Sequence, residues 1–215
     1  MIYTQKTITM DAADDNGIST AQTPGAAGDL TITGALATGG VATLDIPRRV
    51  AIYSASNISN RTFTVYGTDR DGQTISEGSI TGPNNSTVYT AYDFKTVTRI
   101  AISGAAAGAL IAGTNGVAST AWIPTNVNYS EFQCSLAVVL TAGASLSYTV
   151  QHTFQDTQVS TNIAAIYVFP HDDSDLVAAT ASADGNYAFP PKATRLTLVS
   201  FTSGTAQFTV IQPGA

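Results

Sequence analysis

The chain has 215 residues, 44% of them hydrophobic and only 11% charged, and a net charge of −6. That much apolar material argues against wholesale disorder, and nine scattered Lys and Arg disfavour a nucleic-acid or anionic-membrane surface, which needs clustered cations. A single cysteine, Cys134, excludes an intrachain disulfide.

Residues 1–26 read as an extended N-terminal arm. Ile2, Thr4 and Thr7-Ile8-Thr9-Met10 suit a short strand, Asp11 to Gly17 is turn material, and Thr23-Pro24-Gly25 closes the segment. Strand alternation then begins, over residues 30–33 and 41–46, with Pro47-Arg48-Arg49 as a break before a strand at 50–53. The next strand is 62–68. Asp71-Gly72 predicts a type I′ hairpin turn, with the return strand at 74–77. Strands at 87–90, 98–102, 109–112 and 117–122 complete a first domain, and Ile123-Pro124-Thr125-Asn126 is the linker candidate. In the second half the strands fall at 132–136, 137–140, 145–154, 164–169, 187–189, 194–201 and 205–211. No long window carries a helical period, and turn signals recur about every 8–12 residues. The expectation is an all-β protein: two tandem antiparallel β-sandwich, jelly-roll-like domains at 27–123 and 124–215, preceded by the arm at 1–26.

The two halves echo one another. Phe63-Thr64-Val65 with Thr68 recurs as Tyr148-Thr149-Val150 with Thr153. Tyr92-Asp93-Phe94-Lys95 leading into Thr98-Arg99-Ile100-Ala101-Ile102 recurs as Tyr187-Ala188-Phe189 leading through Lys192 into Thr194-Arg195-Leu196-Thr197-Leu198. A duplicated scaffold would put Ile100, Ile102, Leu196 and Leu198 in the core, an aromatic plug at each strand entry, and the arginines and hydroxyls outside. Convergence of two Thr-rich strands is the alternative.

Chemistry is sparse. His171-Asp172-Asp173-Ser174-Asp175 is the most ligand-like run, but it lacks the glycine and distal glutamate of a calcium loop, so it reads as a solvated acidic turn. Asp69-Arg70-Asp71-Gly72 reads as a hairpin turn for a similar reason. By parity His152 shares a face with Val150 and Phe154 and reads as a core-edge histidine, with no Ser-His-Asp arrangement around it. Cys134 shares a face with Phe132 and Leu136 and reads as a buried thiol. Glu77 and Glu131 are the only glutamates, and nothing in sequence pairs them as a glycosidase pair. The expectation is therefore no catalytic residues, no cofactor and no metal. Tyr53, Tyr66, Tyr89, Tyr92 and Trp122 are the candidate sugar platforms, weighed against core-edge and interface roles. Without a charged-then-apolar leader pattern, synthesis in the cytosol is expected.

Tyr148 to Phe154, Ala183-Asp184-Gly185-Asn186-Tyr187-Ala188-Phe189-Pro190-Pro191, Ala193-Thr194-Arg195-Leu196, and the closing Ser203-Gly204-Thr205 to Ile211-Gln212 together resemble small β-sandwich structural proteins of tailed-bacteriophage virions. The resemblance covers under half of the chain and its motifs are structural. It implies a virion component with no enzymatic site to carry over, placed at the head, the neck or collar, or the tail. The reading taken from it is a protein that decorates or stabilises the head or the neck and collar. Such a component would bind other virion proteins and form a homo-oligomer, a trimer or a ring. A receptor- or glycan-binding module of the tail is the alternative.

Overall fold

The computed structural model describes residues 1–128, 132–157 and 166–213. Among these the protein is nearly all β, with no α-helix and one 3-10 turn at Ser174–Leu176. In chain order the strands are β1 (Ile2–Ile8), β2 (Ser19–Gln22), β3 (Gly28–Leu30), β4 (Ala37–Thr38), β5 (Val41–Asn57) and β6 (Thr62–Thr68). Then follow β7 (Thr74–Thr81), β8 (Asn84–Tyr89), β9 (Phe94–Ile102), β10 (Leu110–Ser119), β11 (Ile123–Pro124) and β12 (Cys134–Leu140). The last five are β13 (Ser145–Thr153), β14 (Phe169–Pro170), β15 (Ala183–Tyr187), β16 (Ala193–Ser203) and β17 (Ala206–Gln212).

The chain divides into an inserted unit, Ala12–Asn115, and a terminal unit made from Met1–Asp11 with Gly116–Ala215. These boundaries differ from those read in the sequence. Residues 1–26 are not a free arm: Ile2 to Ile8 pair antiparallel with Gln212 to Ala206 along their whole length, and β2 pairs with β10. The partner of β1 lies some two hundred residues away, which local turn signals cannot reveal. Loop-closure entropy grows only logarithmically with separation, so such pairing costs little more than a nearer one. Nor is 123–126 a linker. Ile123 and Pro124 pair with Thr194 and Ala193, and Ile123 is buried.

In the inserted unit the strands run β10-β5-β9-β6-β7, with β2 on β10, β3 on β9, and β4 and β8 on β5. Leu44, Ile52, Phe63, Val65, Phe94, Ile100 and Leu110 form its core. Its two ends are adjacent: the Thr114 amide donates to the Asp14 carbonyl at 2.8 Å, and the Asp14 amide donates to Thr114 Oγ1 at 3.0 Å. The predicted break at Pro47 is instead the interior of β5. Its register with β9 is irregular between Thr43 and Arg48, and a proline, having no amide to donate, is tolerated at such a bulge. Lys95 Nζ donates to the Leu44 and Asp45 carbonyls at 2.7 and 2.9 Å. Arg48, fully buried, donates from Nη1 to Asp45 and from Nε and Nη2 to the Asn115 carbonyl. The hairpin at Asp71-Gly72 is also of another type. Gly72 has φ +77° while Asp71 is not left-handed, so the turn is a three-residue loop. Asp69 Oδ1 accepts from the Asp71 and Gln73 amides.

In the terminal unit one four-stranded sheet runs β1-β17-β12-β15, and in the other β16 pairs with β13, β11 and the end of β10, while β14 lies on β13. The two layers meet where the Tyr187 ring of β15 lies 5.2 Å from the His152 ring of β13, and where the Tyr187 hydroxyl reaches Thr194 Oγ1 at 3.2 Å. Of the strand expected at 164–169, residues 164 and 165 lie outside the described residues, and only Phe169 joins a ladder, as part of β14.

The sequence echo is a shared ladder. In the inserted unit Phe63 pairs with Ile102 and Val65 with Ile100; in the terminal unit Tyr148 pairs with Leu198 and Val150 with Leu196. The matched positions pair in the same register, and all eight residues are buried. The copies part at the next position. Gly67 sits at a bulge against β9, where a Cβ would run into the Thr96 carbonyl oxygen, while its counterpart is His152 in a regular ladder. The expectation of outward hydroxyls holds for the exposed Thr98 but not for Thr194 and Thr197, both buried.

Candidate functional site

The position where the copies diverge leads to the most distinctive chemistry in the molecule. Strand β13 ends on His152 and Thr153, and Phe154 follows directly. Strand β14 pairs Phe169 with His152 and Pro170 with Gln151, and delivers His171 directly after. Strand β15 ends on Tyr187, and two residues later Phe189 enters the same region. Six rings therefore converge. His152 lies 5.4 Å from Phe154, 5.7 Å from Phe169, 5.2 Å from Tyr187 and 5.2 Å from Phe189, and His171 lies 4.6 Å from Tyr187. Phe154 is 5.9 Å from Phe169 and 5.8 Å from Phe189.

The cluster is graded from a dry floor to an open rim. His152 and His171 are only 3% and 6% exposed, whereas Phe154 and Phe169 are 53% and 46% exposed. Above the floor an open cavity of about 350 Å³ is lined by His152, Phe154, Phe169, Pro170, His171, Asp172 and Phe189. Loss of hydration lowers the pKa of both imidazoles, with Asp172 opposing at both, and both are neutral at pH 7. The Asp173 amide donates to His171 Nδ1 at 3.0 Å, which leaves the ring proton on Nε2. That atom is buried without a hydrogen-bond partner among the described residues, as is His152 Nδ1. The Asn186 carbonyl lies close enough to favour the protonated form of His171, but outside hydrogen-bond geometry. Burial pushes the Tyr187 hydroxyl far above its ordinary range.

The acidic run splits accordingly. Asp172 to Asp175 are exposed, as expected of a solvated turn, and Asp173 caps it by accepting from the Asp175 amide at 3.0 Å. His171 is not part of that solvated turn but belongs to the ring stack, anchored at one end as Leu176 is anchored at the other. Among the described residues no group of three or more His, Cys, Asp or Glu is placed to hold a metal ion.

The remaining candidates are scattered. Cys134 is buried beside Leu136 on the inner face of β12, and burial pushes its thiol up to about 11. Glu77 accepts from the Ala91 and Tyr92 amides at 2.8 and 2.9 Å and so organises the entry to β9; Glu131 lies outside the described residues. The two echoed arginines each lie over an aromatic ring, Arg99 over Tyr66 at 4.7 Å and Arg195 over Trp122 at 4.5 Å. These rings have one face occupied. Tyr53 and Tyr89 are exposed, and the pairing of Ala51 with Tyr89 sets both on one face of the β5–β8 ladder.

Sequence reasoning finds both histidines singly; it sets Phe154 on one face with His152 and reads Phe189 as a strand-entry plug, but gathers neither of these, nor Phe169, into a site. The available signal was local: His152 and Phe154 share strand parity, and Phe169-Pro170-His171 and Phe189-Pro190-Pro191 both place a phenylalanine ahead of a proline. No known protein family and no curated protein matches the chain. No helix among the described residues is long and apolar enough to cross a membrane.

Proposed function

We propose that the chain is a non-enzymatic structural protein of a tailed-phage virion, decorating or stabilising the head or the neck and collar as a homo-oligomer. Its units are read as one jelly-roll-like sandwich used twice. The observation that carries the reading is the repeated ladder: what the copies share is buried core, Val65, Ile100 and Ile102 matched by Val150, Leu196 and Leu198. Their polar surroundings differ. A duplicated core without a duplicated polar site suits a scaffold.

Two further features support assembly. Strand β1 pairs on one side only among the described residues, and Ile2 and Tyr3 on it are exposed, so its free edge offers backbone groups to a neighbour. The sparse charge suits a surface that packs against other virion proteins, where many weak contacts repeated over a symmetric lattice sum to strong attachment. The test is the copy number in purified particles by quantitative mass spectrometry, with the position read by electron microscopy. Hundreds of copies mean head decoration and about a dozen a neck or collar ring, trimers and rings being the closed symmetries expected. Absence from purified particles overturns the proposal.

The second reading, a receptor- or glycan-binding module of the tail, rests on the exposed Tyr53 and Tyr89 rings on one sheet face. Selective retention on a glycan array, lost in Tyr89→Ala, together with a tail-tip position, favours it over the first.

A further inference from the structure

We propose that the aromatic dish of Phe154, Phe169, Phe189 and Asp172 is a binding site for a quaternary ammonium cation. The inference does not depend on the virion reading. An aromatic ring carries negative charge on its face, so several rings turned toward one cavity attract a cation, most strongly one whose methyl groups leave it weakly hydrated. Here Phe154 and Phe169 are half exposed and, with Phe189 and Pro170, line a cavity of about 350 Å³. A trimethylammonium head occupies less than half of such a space.

Charge decides which ligand the dish prefers. Asp172 stands exposed on the lining, and no Lys or Arg is among the described residues that line the cavity. The Asp172 field reaches inward, where it opposes the depression of both histidine pKa values. The imidazoles beneath are neutral at pH 7, so no positive charge repels a cation. An anion would meet the opposite: electron-rich rings and a carboxylate, with no cationic partner among the described lining residues. A neutral apolar group would gain from the rings but nothing from Asp172. The floor is also pre-formed, because His152 packs against Phe154, Phe169 and Phe189 together, so little ordering opposes binding.

The test is titration of the full chain with choline and with dimethylbutanol, its uncharged carbon isostere, by calorimetry or by ligand-observed NMR. Choline is expected to bind about tenfold more tightly than the isostere. Phe169→Ala and Phe154→Ala should each weaken choline about tenfold, and Asp172→Asn about threefold. All three side chains are substantially exposed, and unchanged thermal melts will show that the variants fold. A trimethyllysine peptide that competes more tightly than choline assigns the source to a protein side chain, and one that competes more weakly assigns it to a free small molecule; either supports the site. Equal affinity for choline and its isostere, a choline affinity untouched by Phe169→Ala, or displacement of choline by lower concentrations of a neutral pyranose each overturns it.

Discussion

His152 shows how one residue carries two consequences of burial. Its ring is packed among four other aromatic rings, and its Nδ1 has no partner among the described residues. Desolvation lowers its pKa below the ordinary 6.5, with Asp172 opposing and His171 adding to the depression; at His171, desolvation dominates while Asp173 and Asp172 oppose. A group whose pKa is depressed on folding takes up its proton more readily in the unfolded chain. Its contribution to stability is full above about pH 6.5 and is lost as the pH falls toward the folded values. The urea midpoint should therefore decline between pH 7 and pH 5. His152→Phe keeps a ring of similar size, removes the titration and discards an unsatisfied nitrogen. Its midpoint should match or exceed the parent at pH 7.5 and decline less steeply in acid. An equally steep decline would sink histidine burial as the cause.

At the scale of elements, β5 exposes what a breaker signal means. Pro47 does not end the strand but sits where its ladder with β9 is irregular, and the carbonyls around it find a side chain in place of a backbone amide. Lys95 supplies two donors there, to Leu44 and Asp45. Lys95→Met keeps the alkyl stem and removes both bonds, so it should cost about 1–3 kcal/mol in chemical denaturation. A loss within about 0.5 kcal/mol, the range for indifferent surface changes, would show that water replaces the ammonium there. The legibility of the fold follows the same division. Thr62–Thr68 stood in the sequence with its observed ends, and β13, β16 and β17 within one or two residues, because alternation is a local property. Pairing is not local, so the β1–β17 ladder left no mark, and Pro47 signalled an irregularity without showing that the strand runs through it. The candidate site was half legible. Parity showed His152 and Phe154 on one face, but only the pairing of β14 with β13 brings Phe169 and His171 to them.

For the whole molecule, the decisive fact is where the chain crosses between units. Asp14 and Thr114 are bonded to each other at the ends of the inserted unit, and closely spaced ends are what allow one domain to be inserted into another. Residues 12–115 carry their own core and the Arg48 bonds to the Asn115 carbonyl, so that fragment should fold alone, with a cooperative melt and dispersed amide signals. Residues 124–215, the domain expected from turn signals alone, should not. That fragment lacks β1, the strand that pairs with β17 along its whole length, and it lacks Ala118, Ser119 and Ile123, which pair with β16. Without β1, β17 keeps only its ladder with β12, and its other edge is left open to water. Since Ile2 and Gln212 are register partners, residues 116–213 followed by a short Gly/Ser linker and residues 2–11 would rebuild the ladder as a hairpin. This permuted chain should melt cooperatively where 124–215 does not. A folded 124–215 fragment, or an unfolded permuted chain, would place the unit boundary elsewhere than at Asp11 and Asn115.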